Sequence, residues 1–223
     1  MIQDGTVVRS SGFSSVLETN KVLQKTYALL AATLIFSGLT AFYAMSINAA
    51  PLGILITLVG YFGLLILTNV LKNSAWGILS VFALTGFMGY TLGPIVNMYL
   101  HNMVNGHQLV FMALSGTGII FVALSGYALI SKKDFSFMTG FIMTGAIVAF
   151  LAGLAAIFFH MAILSLAVSA AFILISSGII LIQTGAIING GETNYVMATV
   201  TLYVSLYNIF LSLLQLLGAF NRD

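Results

Sequence analysis

Cysteine is absent from the 223-residue chain, which excludes disulfides, thiolate metal sites and cysteine nucleophiles. Charge is nearly absent too. Seven Lys and Arg with five Asp and Glu make up 5% of the residues, against about 25% in a soluble domain. So little charge could not keep a chain that is 60% hydrophobic in water. The mean hydropathy is +1.11, and several apolar runs are long enough to cross a bilayer. These features identify an integral membrane protein rather than a soluble domain on one anchor. No basic patch is offered to nucleic acid. The polar start lacks an apolar core with a small-residue cleavage site, so no removable signal is expected and the first membrane helix is expected to direct insertion.

Reaction motifs are missing as well. There is no G-x-S-x-G elbow, no H-E-x-x-H pair and no carboxylate pair within an expected helix, so neither a serine nucleophile nor a zinc site is indicated. The last helix has no lysine for a retinal, and no cofactor is implied. Transport proteins usually hold costly intramembrane charges or broken helices, and the expected helices here carry no formal charge. His101, His107 and His160 all fall on one expected side. They read either as a weak metal or proton site or as polar loop ends.

What remains is an all-α membrane protein of seven helices. Residues 1–24 form a polar tail and 25–223 the membrane domain. Ser15 and Glu18 fit a capping box, so the tail is expected to be loose to about Ser14 and helical afterwards. Helix one is placed at about Thr26–Ser46, helix two at Leu52–Leu71 and helix three at about Ala75–Leu100, with Trp76 as an interfacial anchor. Gly86, Gly89 and Gly93 give helix three a face for close contact, and Pro94 is expected to kink it. Helix four is placed at about Leu109–Ile130. Phe135–Ile188 is too long for one crossing and is expected to fold back near His160. Gly145, Ala149, Gly153 and Ala156 give helix five a small-residue face. Ser169, Ser176 and Gln183 recur at seven-residue steps on helix six.

The final stretch, Asn189–Gly218, organises the rest. Between Val196 and Leu217 it has no Asp, Glu, Lys, Arg or His. Thr201, Ser205, Asn208, Ser212 and Gln215 nevertheless fall on one helical face. Hydrocarbon offers such groups no partner, so the stripe is expected to face other helices or a water-filled cavity. Ser and Thr can instead bond their own backbone carbonyls. Glu192, just before this helix, reads as an acid at an inner mouth or as one favoured by the helix dipole. With the N-terminus inside, Arg9, Lys21, Lys25, Lys72, Lys132 and Lys133 are all cytoplasmic and Arg222 alone lies outside. Basic residues in short loops stay cytoplasmic, which predicts N-in and C-out.

The run Gly89-Tyr90-Thr91-Leu92-Gly93-Pro94, and a last helix with Ala198-Thr199-Val200-Thr201-Leu202-Tyr203 followed by Asn208, resemble the Bax inhibitor family of multispanning proteins. Lys133-Asp134-Phe135-Ser136-Phe137, Gly190-Gly191-Glu192-Thr193-Asn194-Tyr195 and Leu202–Phe210 resemble more narrowly a bacterial inner-membrane branch. That branch modulates the membrane-bound ATP-dependent protease FtsH. The resemblance implies six helices packed around a central seventh. It also implies a non-enzymatic protein that binds FtsH as a slow substrate and so restrains it. The tail would then be the handle the protease grips. The alternative from the same family is a cation leak channel or transporter, for calcium or protons. Leak members carry a proton-sharing Asp pair, whose matching positions here are Gln183, before Thr184, and Ser205, after Leu202-Tyr203-Val204. Neither can ionise. The resemblance therefore implies an interhelix polar latch without a proton switch, with Ser176, Asn208 and Ser212 beside it.

Overall fold

The computed structural model describes the backbone of residues 7–221 and the side chains of residues 19–221. Among them lie seven α-helices and no strand: α1 (Val7–Ser46), α2 (Ile54–Leu71), α3 (Trp76–Asn102), α4 (Gly106–Ser131), α5 (Thr139–Phe158), α6 (Ala162–Ile188) and α7 (Tyr195–Phe220). All seven are long and apolar enough to span a membrane, α1 through its stretch Thr19–Ser46.

Helix α1 begins at Val7 rather than at the capping box, whose side chains lie outside those described. The physical reason is cooperativity: a membrane helix is already nucleated, and each added residue needs only propagation. The connection between α3 and α4 is likewise shorter than expected, because α4 starts at Gly106. A Cβ at that glycine would collide with the Tyr99 carbonyl oxygen. Its absence lets α4 begin against the end of α3. Between α5 and α6 only Phe159–Met161 intervene, at the break expected near His160.

The most extensive helix contact is that of α1 with α3, and its seam is the glycine face. An added Cβ at Gly86 would lie 2.6 Å from the Phe36 ring, and at Gly93 2.6 Å from the Ala44 Cβ. At Gly89 it would collide with the Ser37 carbonyl and the Thr40 hydroxyl. Helix α3 continues through Pro94. Ala149 and Ala156 of α5 are buried, and Cβ atoms built on Gly145 and Gly153 would touch Ile175 and Val168 of α6.

Helix α7 sits at the centre. Apart from Phe220 at its end, no residue of it is exposed, although its most apolar stretch alone would serve as a lipid-facing span. Its backbone packs against α1, α3, α4 and α6, while α2 is seated on α3 and α5 on α6. The contacts do not show the expected six helices around the seventh: α7 has four close neighbours, and α2 and α5 lie outside them.

Candidate functional site

Polar groups are distributed along α7 in three clusters, each tied to a different neighbour. At the first, Asn194 caps the helix: its Oδ1 accepts from the Met197 amide at 3.0 Å. Its Nδ2 donates to the Lys72 carbonyl at 3.2 Å and to Asn73 Oδ1 at 2.8 Å. The start of α7 is therefore fastened to the α2–α3 connection. Glu192 accepts from the Asn194 amide at 2.7 Å, so its carboxylate holds the capping residue, as an acid before a helix start does. Lys25 lies 5.3 Å from the centre of the Tyr195 ring. Asn189 reaches the Lys133 carbonyl at 3.4 Å. Lys25, Lys72 and Lys133 thus share one end of the bundle.

One turn inward, the buried Thr199 hydroxyl lies 2.7 Å from the Tyr195 carbonyl and 3.2 Å from the Thr26 carbonyl. The second cluster lies at the heart of the bundle. Tyr203, 1% exposed, donates to the Thr85 carbonyl of α3 at 3.2 Å and accepts from the Ser37 hydroxyl of α1 at 2.5 Å. One phenol thereby joins α1, α3 and α7. Tyr207 stacks on it at 6.4 Å and meets the Thr91 hydroxyl at 3.3 Å. These two tyrosines fall on the side of α7 opposite the Ser and Asn stripe. Sequence reasoning missed them because a tyrosine on a membrane helix reads as apolar surface until its hydroxyl has a partner. The signal that could have found them is Gly89, whose missing side chain brings α1 close enough for Ser37 to reach in.

The third cluster links α7 to α6. Ser169 donates to Gln215 Oε1 at 2.8 Å, and Gln215 Nε2 donates to Ser165. Here the expected polar stripes do answer each other. In the middle of α6 they do not. Ser205 spends its proton on the Thr201 carbonyl, 2.8 Å away, the backbone alternative open to any helical serine. Gln183 Nε2 and Ser176 Oγ are buried with no hydrogen-bond partner. Gln183 and Ser205 thus form no hydrogen bond with each other, while Ser212 is buried and Asn208 borders a cavity.

His101 bonds the Asn97 carbonyl of its own helix at 3.0 Å. Among the described residues no group of three His, Cys, Asp or Glu could hold a metal ion. Asp134, in the α4–α5 connection, accepts from the Ser136 amide at 2.8 Å and the Ser136 hydroxyl at 2.9 Å. These bonds hold its carboxyl below the usual range.

Comparison with known proteins extends these observations. The family model described as "Inhibitor of apoptosis-promoting Bax1" matches residues 19–222. An uncharacterised protein of Pseudomonas aeruginosa is 50% identical over 214 residues, 96% of each chain. The Escherichia coli K12 protein named "Modulator of FtsH protease YccA" is 49% identical over 220 residues, 99% of this chain and 100% of that one. A protein of Escherichia coli O6:H1 named "Inner membrane protein YccA" matches to the same extent.

Proposed function

The chain belongs to the Bax inhibitor family of multispanning membrane proteins, and on that premise we propose that it is a non-enzymatic regulator that binds and restrains the membrane protease FtsH. The observation that carries this reading is the likeness to a named modulator of that protease over essentially the whole chain. We place it in the bacterial inner membrane, with the N-terminus cytoplasmic and the C-terminus periplasmic. The orientation is supported by the gathering of Lys25, Lys72 and Lys133 at one end of the bundle and by the retention of basic loops on the cytoplasmic side.

The packing supports a mechanism of slow extraction. Helix α1 spans 40 residues, about 60 Å at 1.5 Å each, twice the roughly 30 Å of a hydrocarbon core. Its first turns, which make up most of the polar tail and are the proposed grip, therefore extend beyond the membrane. A pull on that end meets the tightest seam of the bundle. The α1 backbone is locked to α3 through Gly86, Gly89 and Gly93, and Ser37 and Thr26 are hydrogen-bonded to α7. Each hydrogen bond contributes only about 0.5–1.5 kcal/mol, so close packing supplies most of the resistance. A protease engaged on such a chain is occupied for longer.

The alternative, a leak channel switched by a shared proton, is not adopted. Positions 183 and 205 hold no ionisable group, and Ser205 is bonded to its own helix. The deciding experiment is affinity purification of the tagged protein from membranes. FtsH is expected to copurify, and overproduction is expected to lengthen the lifetime of a known FtsH substrate. Absence of both effects would overturn the reading.

A further inference from the structure

The α2/α3 pair and the α5/α6 pair do not close on each other. A cavity of about 330 Å³ lies between them, with α7 as its floor. Phe62 of α2 and Phe150 of α5 both line it and meet edge to face with ring centres 6.0 Å apart. Tyr61 lies behind Phe62, the two rings 5.0 Å apart. Phe87 and Phe172 complete an aromatic wall, and Tyr207 and Asn208 reach it from α7.

The hydrogen-bonding groups in this wall are unevenly satisfied. Thr57 donates to the Gly53 carbonyl and Thr91 to the Met88 carbonyl, both at 2.8 Å. The Tyr207 hydroxyl meets Thr91. Among the described residues the Tyr61 hydroxyl and the Asn208 amide have no hydrogen-bond partner. The cavity therefore presents one phenol O–H and one side-chain amide, with its NH₂ and its Oδ1, that nothing among the described residues answers. Both lie deep in the membrane. Tyr61 is far from either end of α2, and Asn208 is near the middle of α7, roughly 10–20 Å from the helix ends at 1.5 Å per residue.

Each property narrows the occupant. Unanswered donors call for a ligand that brings an acceptor. A charged carboxylate is costly at that depth, so the acceptor is neutral. Ester carbonyls of phospholipids stay at the interface and do not reach it. A partner helix, about 10 Å across, is too wide, and its carbonyls are already bonded within it. The volume is at the low end of the roughly 300–1,000 Å³ typical of small-molecule sites. Aromatic walls favour a flat ring, by offset or edge-on contact. We propose that this cavity binds a neutral, lipid-soluble molecule with a carbonyl-bearing flat ring, of the quinone class, its carbonyl accepting from Tyr61 and Asn208.

The test uses the full chain in lipid nanodiscs, with radiolabelled decyl-benzoquinone as the probe and unlabelled decylbenzene as the competitor that lacks carbonyls. Saturable binding that decylbenzene does not displace is expected. Asn208→Leu and Tyr61→Phe are each expected to weaken it about tenfold, as loss of one buried hydrogen bond does. If Asn208→Leu does not give a folded protein, Tyr61→Phe decides, since it removes one oxygen and keeps the ring. Non-saturable uptake, equal displacement by decylbenzene, or unchanged affinity in the folded variants would overturn the proposal and leave the cavity as a place for hydrocarbon chains.

Discussion

Tyr203, fully buried, and Gln183, half-buried with its amide nitrogen shielded, stand in opposite situations. Tyr203 has both hydrogen-bond roles filled. Tyr203→Phe would leave the Ser37 hydroxyl without its partner on α7 and the Thr85 carbonyl with only its bond within α3, in a medium without water. It is expected to cost about 1–3 kcal/mol, read as a lower melting temperature in detergent, with faster degradation in cells that contain FtsH. Gln183 has an amide nitrogen with no partner. Gln183→Leu removes a desolvated donor and keeps most of the volume, so stability is expected to hold or rise. A marked loss would mean that a buried water satisfies Gln183. The same residue bears on ion flux. Without an ionisable group at position 183 or 205, the protein in liposomes is expected to show little calcium flux and no steep dependence on pH. Strong pH-gated flux would move the channel reading ahead of the protease regulator. Asp134 is the carboxylate whose titration the structure does shift. Its pKa is lowered by Ser136, so its contribution to the turn is present above the unfolded value and lost as pH falls through the folded one. Ser136→Ala is expected to raise that pKa, as followed by carbon-detected NMR.

At the scale of elements, α1 has two parts with separate roles. Its apolar stretch is interlocked with α3 and α7, and its first turns precede the stretch Thr19–Ser46 that is apolar enough to span a membrane. Deleting residues 1–15 removes part of the projecting turns and leaves Thr26, Ser37 and the glycine seam intact. The bundle is expected to stay folded while its lifetime in cells lengthens. An unchanged lifetime in cells with active FtsH would count against the tail as the grip. Gly89→Ala acts on the other part. The added methyl would meet the Ser37 carbonyl of the α1 backbone, which cannot turn aside as a side chain can. A loss of about 1–3 kcal/mol is expected, as for overpacking in a well-filled interior. The change should also shorten the protein's lifetime and weaken its hold on the protease.

For the molecule as a whole, seven crossings place the two ends on opposite sides. A reporter active only in the cytoplasm is expected to work when fused after Lys133 and to fail when fused after Asp223. Activity at both positions would require an even number of crossings. The shared position of Lys25, Lys72 and Lys133 at one end makes the inverse orientation costly, because it would carry the basic connections across the membrane. The same packing explains why a chain with so few charges needs no ion-pair network. α7 is held by hydroxyls, amides and backbone carbonyls from α1, α3 and α6, and by the α2–α3 connection.

Membrane class, the number of crossings, the break at His160 and the glycine seam of α3 were legible from the sequence. These follow from local composition and helical periodicity, which the bilayer enforces: every backbone group must be bonded within its own helix. The seven-step repeat on α6 correctly pointed to Ser169 facing α7. Ser176 Oγ and Gln183 Nε2, on the same repeat, have no hydrogen-bond partner among the described residues, since periodicity gives a face but not the height at which two helices meet. The start of α1 was set too late because a capping motif competes poorly with a helix already nucleated in the membrane. Only the tertiary structure decided that Tyr203 is the central hydrogen-bonding residue, that Ser205 turns back on its own helix, and that α2 and α5 lie outside the four helices closest to α7. Each depends on which groups come within about 3 Å of one another across helices. That distance is set by the packing of side chains far apart in the chain, such as Ser37 and Tyr203, and no local pattern encodes it.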